Sequence, residues 1–236
     1  MKRNKLVLCA SMLAVLFAFS AAAQAADLSV GASTWYSWWR LEESNTTRTI
    51  DPTLLYGPVL ALGFGGHWSL SSIFLYGRFD MDSEGGKSEK IDRFDSDTAL
   101  NYSINRYVKL FGGAKFMGYT MPQNSFSHMA LGPALGIGVT LPLTDSLFVL
   151  WNASGAFLFG KHKEEDDSGI RIKSDYNEPG LNTNLSLAWY IESASTTITL
   201  GFRYQRFNTY YEEDGWSDMT HQFYGATLSA VYAFEL

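Results

Sequence analysis

Apolar and polar residues alternate along most of this chain with a period of two. In the C-terminal stretch YGATLSAVYAFEL, Tyr224, Ala226, Leu228, Ala230, Tyr232, Phe234 and Leu236 share one face of an extended strand. Gly225, Thr227, Ser229, Val231, Ala233 and Glu235 share the other. In GPALGIGVTL, Leu131, Pro133, Leu135, Ile137, Val139 and Leu141 oppose Gly132, Ala134, Gly136, Gly138 and Thr140. In GLNTNLSLAWYI, Leu181, Leu185, Leu187, Trp189 and Ile191 oppose Asn182, Asn184, Ser186 and Tyr190. The same test predicts about ten strands, near 28–40, 53–66, 68–81, 93–105, 107–120, 130–142, 146–160, 180–191, 196–208 and 221–235.

Two kinds of connection alternate between these segments. Gly66-His67, Asn105-Arg106, Pro142 to Asp145 and Glu192 to Ser195 are short. Between them lie the polar stretches EESNTTRTID, DSEGGKSEKID, MPQNSFSHM, KHKEEDDSGIRIKSDYNEPG and YYEEDGWSDMT, read as longer loops. Long strands joined by short turns at one end and long loops at the other match a transmembrane β-barrel. Soluble sandwiches have shorter strands without that asymmetry. A soluble calycin-like barrel, with its apolar face turned inward, is the alternative that the alternation alone permits.

The first residues change the picture. Lys2, Arg3 and Lys5 precede an apolar stretch and a run of small residues, the form of a secretory signal. Ala23 and Ala25 supply the small–x–small pattern that places cleavage before Ala26, leaving residues 26–236 as a single barrel domain. An uncleaved anchor is the alternative, since Leu6 to Ala23 is nearly long enough to span a bilayer. Cys9 lies too near the start for a lipoprotein anchor. Cleavage leaves no cysteine, which excludes disulfides, a thiolate nucleophile and a thiolate zinc site. Without Lys2, Arg3 and Lys5, 15 Lys and Arg face 24 Asp and Glu, a formal −9 that argues against a nucleic-acid partner.

The chain resembles bacterial outer-membrane β-barrel proteins in its signal segment, its strand pattern and its last strand. Such proteins end on a strand with a Gly and spaced apolar residues that serves as an assembly signal; Gly225, Leu228, Tyr232, Phe234 and Leu236 resemble it. The departure is Leu236, where the class carries Phe or Trp. The resemblance implies a closed antiparallel up-and-down barrel in the outer membrane. It also implies lipids and lipopolysaccharide as surroundings, and periplasmic chaperones and the barrel assembly machinery as biogenesis partners. Closure follows physically too, because an unpaired backbone group in hydrocarbon costs several kcal/mol. The apolar face of Tyr224–Leu236 is then expected to meet lipid, with the last strand paired to the first.

The polar faces hold candidate lumen chemistry: Arg78, Asp80, Asp95, Asp97, Lys109, Lys115 and Arg203, with Asn101, Asn152, Asn182, Asn184, Gln205 and His221. A hairpin centred near residue 87 sets Arg78 opposite Asp97 and Asp80 opposite Asp95, with Lys115 or Arg203 as a compensating cation. Small residues (Gly57, Ala61 and Gly63, then Gly132 to Gly138) form a facing wall. A filled lumen and a narrow wet passage both fit this arrangement, and about ten strands are too few for a wide pore.

Enzyme readings are weaker. Omptin-class proteases set paired Asp residues against a His–Asp pair at the extracellular rim. Asp80 and Asp82, His162 with Asp166 and Asp167, and Asp218 with His221 are the nearest equivalents, but the Asp-x-His spacing is absent. A lipid-modifying hydrolase has only Ser125, Ser127 and His128 to offer, with nothing to orient the His. The acidic runs 164–167 and 212–214 lack the ligand spacing of a calcium loop. No catalytic, metal or cofactor site and no particular ligand is therefore expected; the leading expectation is a structural or surface-binding barrel, then a narrow channel, then a hydrolase.

Overall fold

The computed structural model describes residues 27–44, 46–82, 88–121, 126–165, 171–213 and 216–234. The predicted signal segment and cleavage residues Ala23, Ala25 and Ala26, and Leu236 of the predicted assembly signal, lie outside them. Ten strands follow in chain order: β1 (Asp27–Glu43), β2 (Thr46–Phe64), β3 (Trp68–Asp82), β4 (Ser88–Ser103), β5 (Val108–Met121), β6 (Phe126–Pro142), β7 (Leu147–Glu165), β8 (Arg171–Ile191), β9 (Thr196–Tyr211) and β10 (Met219–Phe234). Each pairs antiparallel with its neighbours, and β1 closes on β10 from Leu28↔Phe234 to Glu43↔Met219. The terminal strand thus has no free edge.

At the short-turn end the strands stop within two residues of the places predicted from sequence. The β2–β3 turn uses Gly65 and Gly66, both left-handed at φ 61° and 73°, where a Cβ would be strained. At the other end the strands run on. The described residues of EESNTTRTID are strand apart from the turn residue Ser44, and those of KHKEEDDSGIRIKSDYNEPG are the ends of β7 and β8. The described parts of four of the polar stretches read as loops are therefore the outer ends of long strands, while 212–213 and 216–218 of YYEEDGWSDMT lie between β9 and β10.

The polarity of the strands inverts along their length. Near the turn end the outer face is apolar: Leu135 is 73% exposed, Leu200 60% and Leu131 57%. The inner face there is polar, with Ser33 bonded to Ser229 across β1 and β10 at 2.8 Å and Asn101 bonded to Ser71 at 3.0 Å. Toward the loop end the inner face becomes an aromatic and aliphatic core of Trp35, Trp39, Phe79, Ile91, Phe207 and Phe223. The outer face there carries the ion pairs Arg40–Glu42, Arg78–Asp92 and Lys161–Asp175. Aromatic clusters border the apolar belt, Trp68–Tyr102 and Tyr232–Phe234 on the turn side, Trp38–Tyr224 and Tyr76–Phe94 on the loop side. Tyr224 and Phe234 are ten residues apart on β10, close to the roughly 9–11 residues a tilted strand needs to cross hydrocarbon. Strands of up to 21 residues (β8) extend well past that belt, so the barrel has a membrane storey and a solvent storey with opposite cores.

This inversion corrects two expectations. Arg78 and Asp80 are on the outer face of β3, because Ile73, Leu75 and Phe79 of the same strand fill the core. The β3–β4 hairpin pairs Arg78 with Asp92, and Asp97 with Ile73, so its centre lies about two residues before the predicted one. Arg78 Nε donates to Asp92 Oδ1 at 2.6 Å and Nη2 to Oδ2 at 3.2 Å, a solvent-side pair rather than a lumen pair.

Candidate functional site: the barrel lumen

At mid-height the inner faces of β4, β5 and β9 bring charges together across the lumen. Asp95 is fully buried and accepts from three cations: Lys115 Nζ at 2.7 Å, Arg203 Nη2 at 3.1 Å and Arg93 Nη2 at 3.1 Å. Asp97, two residues along the same face, takes Lys115 Nζ at 3.3 Å and Arg203 Nη2 at 2.5 Å. Arg203 Nε also donates to Asn182 on β8 at 3.1 Å. Gln205, with its amide nitrogen on Asp95 Oδ2 and its oxygen on Lys115 Nζ, adds two contacts of 3.1 Å. The cations rest on aromatic floors, Arg93 3.4 Å above the Phe223 ring and Arg203 4.8 Å from that of Trp35.

Of the predicted lumen charges, Asp95, Asp97, Lys115 and Arg203 meet here. Lys109 faces inward but stands apart, lining a cavity of about 340 Å³ on the turn side with Asn101, Asn152, Ser154, Asn182 and Asn184. Arg93 was absent from the predicted set, although its parity with Asp95 and Asp97 on β4 puts it on their face. Gly136 and Gly138 make room for side chains of β5, since a Cβ there would meet Phe111 and Lys109. The small wall is thus a packing partner of its neighbouring strand.

A second layer lies on the loop side of the cluster. His128 (β6), Glu178 (β8) and His221 (β10) are fully buried, with His162 (β7) beside them at 1% exposure. His128 is sandwiched between the rings of Tyr119 and Tyr176, with centroids at 4.5 and 4.2 Å and planes within 18°. Tyr176 lies flat because its neighbour is Gly160, whose Cβ would sit 2.0 Å from the ring. Thr209 donates to Glu178 Oε1 at 2.9 Å, and His128 Nδ1 lies 3.4 Å from His162 Nδ1. Residues next in sequence, Lys161, Asp175 and Gln222, face out among the charged pairs, so this layer stands beyond the lipid belt.

Among the described residues, Asp80 is not brought together with His162 or His221, nor Ser127 with His128. Asp80 faces solvent on the outside of β3, whereas His162 and His221 point into the lumen. Ser127 is on the outer face of β6, opposite in sense to His128. Ser125, Asp166, Asp167 and the side chain of Asp82 lie outside the described residues.

No protein-family model and no curated protein matches the sequence. Among solved structures, the chain is similar to the outer membrane protease OmpT from Escherichia coli, at 8% identity and a TM-score of 0.58, over 89% of this chain and 97% of that one. It also aligns with neisserial surface protein A at 10% identity and a TM-score of 0.42, over 86% and 95% of the two chains. The β domain of the Bordetella autotransporter BrkA aligns at 11% identity and a TM-score of 0.49, over 90% and 100%. The likeness to OmpT is one of fold, a closed antiparallel barrel that this chain builds from ten strands.

Proposed function

We propose that the protein is an integral outer-membrane barrel with a structural or surface-binding role and a lumen blocked at mid-height. The observation that carries this is the Arg93–Asp95–Lys115–Arg203 cluster, which ties β4 and β5 to β9 across the interior. Asp95 has its acceptors filled by Lys115, Arg203 and Arg93, and the Arg93 guanidinium, whose Nε and Nη1 find no hydrogen-bond partner among the described residues, rests on the Phe223 ring. On this reading lipid and lipopolysaccharide surround the belt, and the solvent storey offers the surface for contact with the outside. The reading assigns no catalytic residue.

A narrow channel is the second reading, favoured by the polar cavity of about 340 Å³ on the turn side. Planar-bilayer recording of the refolded protein separates the two. The blocked barrel is silent, and Asp95→Ala/Arg203→Ala, if it migrates as a folded barrel, stays silent because the aromatic core on the loop side still fills the interior. Stable unitary currents from the wild type would overturn the blocked-lumen reading.

A further inference from the structure

We propose that His128, Glu178 and His221 form a site for one divalent transition-metal ion of the zinc class, inside the solvent storey of the barrel. The three residues come from β6, β8 and β10, and each offers one ligand atom within 4.8 Å of the others. His128 Nε2 is 3.6 Å and His221 Nε2 4.0 Å from Glu178 Oε1. Around a tetrahedral zinc with bonds of about 2.0–2.1 Å, ligand atoms stand about 3.3 Å apart. Small side-chain rotations therefore bring all three onto one ion. Two imidazoles and a carboxylate form a donor set suited to zinc and its neighbours in the first transition row.

A second observation is independent of that spacing. His128 Nε2 and Glu178 Oε2 are buried in the layer with no hydrogen-bond partner among the described residues. The only ion-pair partners of Glu178 among those residues are His128 and His221, and both carry charge only when protonated. A buried carboxylate oxygen and a buried imidazole nitrogen left without partners are both unfavourable. A dication on these lone pairs satisfies all of them at once.

The surroundings also suit a ligand set. For His128 to bind through Nε2, Nδ1 must carry the proton; it then donates to His162 Nδ1, 3.4 Å away. Thr209 orients Glu178 by donating to Oε1, and Tyr119 and Tyr176 hold the His128 ring between them. His162 is thus a positioning residue. The fourth coordination position is left to water or to an external ligand entering from the loop end.

The test uses tag-free mature protein, refolded in detergent, stripped with a chelator and titrated with Zn²⁺ by calorimetry and with Co²⁺ by visible absorption. The wild type binds one ion per chain. Glu178→Gln and His221→Asn each weaken binding by about 100-fold or more, His162→Asn by about tenfold, in keeping with a group that orients a ligand. His67→Asn, at an exposed turn, leaves it unchanged. Heat-modifiable migration shows which variants are folded, and X-ray absorption of the zinc-loaded wild type reads two imidazoles without any variant. Absence of binding to folded wild type, binding unaltered in Glu178→Gln, or a spectrum without imidazole ligands would each overturn the assignment. None of these outcomes bears on whether the barrel conducts.

Discussion

A single carboxylate has very different worth in the two storeys. Asp95 is enclosed by Lys115, Arg203 and Arg93, so Asp95→Asn leaves three buried cations facing one remaining carboxylate, Asp97. Breaking a buried pair from one side costs about 3–5 kcal/mol. Asp92, by contrast, pairs with a half-exposed Arg78, and such surface pairs contribute about 0–1 kcal/mol. Urea unfolding of the refolded variants is expected to rank Asp95→Asn far below Asp92→Asn in stability. The Asp95→Ala/Arg203→Ala double change should cost less than the two single changes added together; additive losses would mean that the cluster is wet. Gly160→Val tests the other layer. Its side chain would displace the Tyr176 ring and unsettle the ring sandwich around His128. Overpacking of this kind costs about 1–3 kcal/mol and should show as altered near-ultraviolet circular dichroism with the barrel still closed.

Among the strands, β10 has the most to lose at its end. It pairs with β1 and β9 along its whole length, and Tyr232 and Phe234 sit in the turn-side aromatic border. Removing 232–236 should abolish the heat-modifiable shift of a folded barrel on gels; a retained shift would show that closure does not need this stretch. The strands themselves were legible because lipid on one side and polar lumen on the other enforce alternation, as in the faces of Leu131–Leu141 and of Leu181–Ile191. Their loop-end halves were not. Once a strand leaves the bilayer the solvent is outside and the core inside, so Arg78 and Phe79 exchange the faces that the lipid rule assigns. That exchange hid the true partner of Arg78, and with it the two-residue offset of the β3–β4 hairpin. The histidine layer was hidden for a different reason. Its members stand on four strands and share no spacing in sequence, and only parity with Ala130, Leu158, Tyr176 and Phe223 marks them as inward.

For the whole barrel, the solvent storey should be the part that proteases reach. A protease of broad specificity added to intact cells is expected to cut, if anywhere, within 161–179 or 209–219. Cutting at the turns near 66, 105, 144 or 194 would mean that the barrel is inserted the other way round. The outer ion pairs at Arg40, Arg78 and Lys161 have a further consequence, and it concerns time rather than energy. Assembly from the periplasm must carry these charges through hydrocarbon once. A charge on the lipid face of a barrel costs about 2–4 kcal/mol at the midplane, and the same barrier stands against return. The finished barrel is therefore latched, like a rivet set from one side. Unfolding in lipid bilayers should lag far behind refolding, with separate urea midpoints in the two directions that converge when both partners of each pair, Arg40 and Glu42, Arg78 and Asp92, Lys161 and Asp175, are replaced by Gln or Asn.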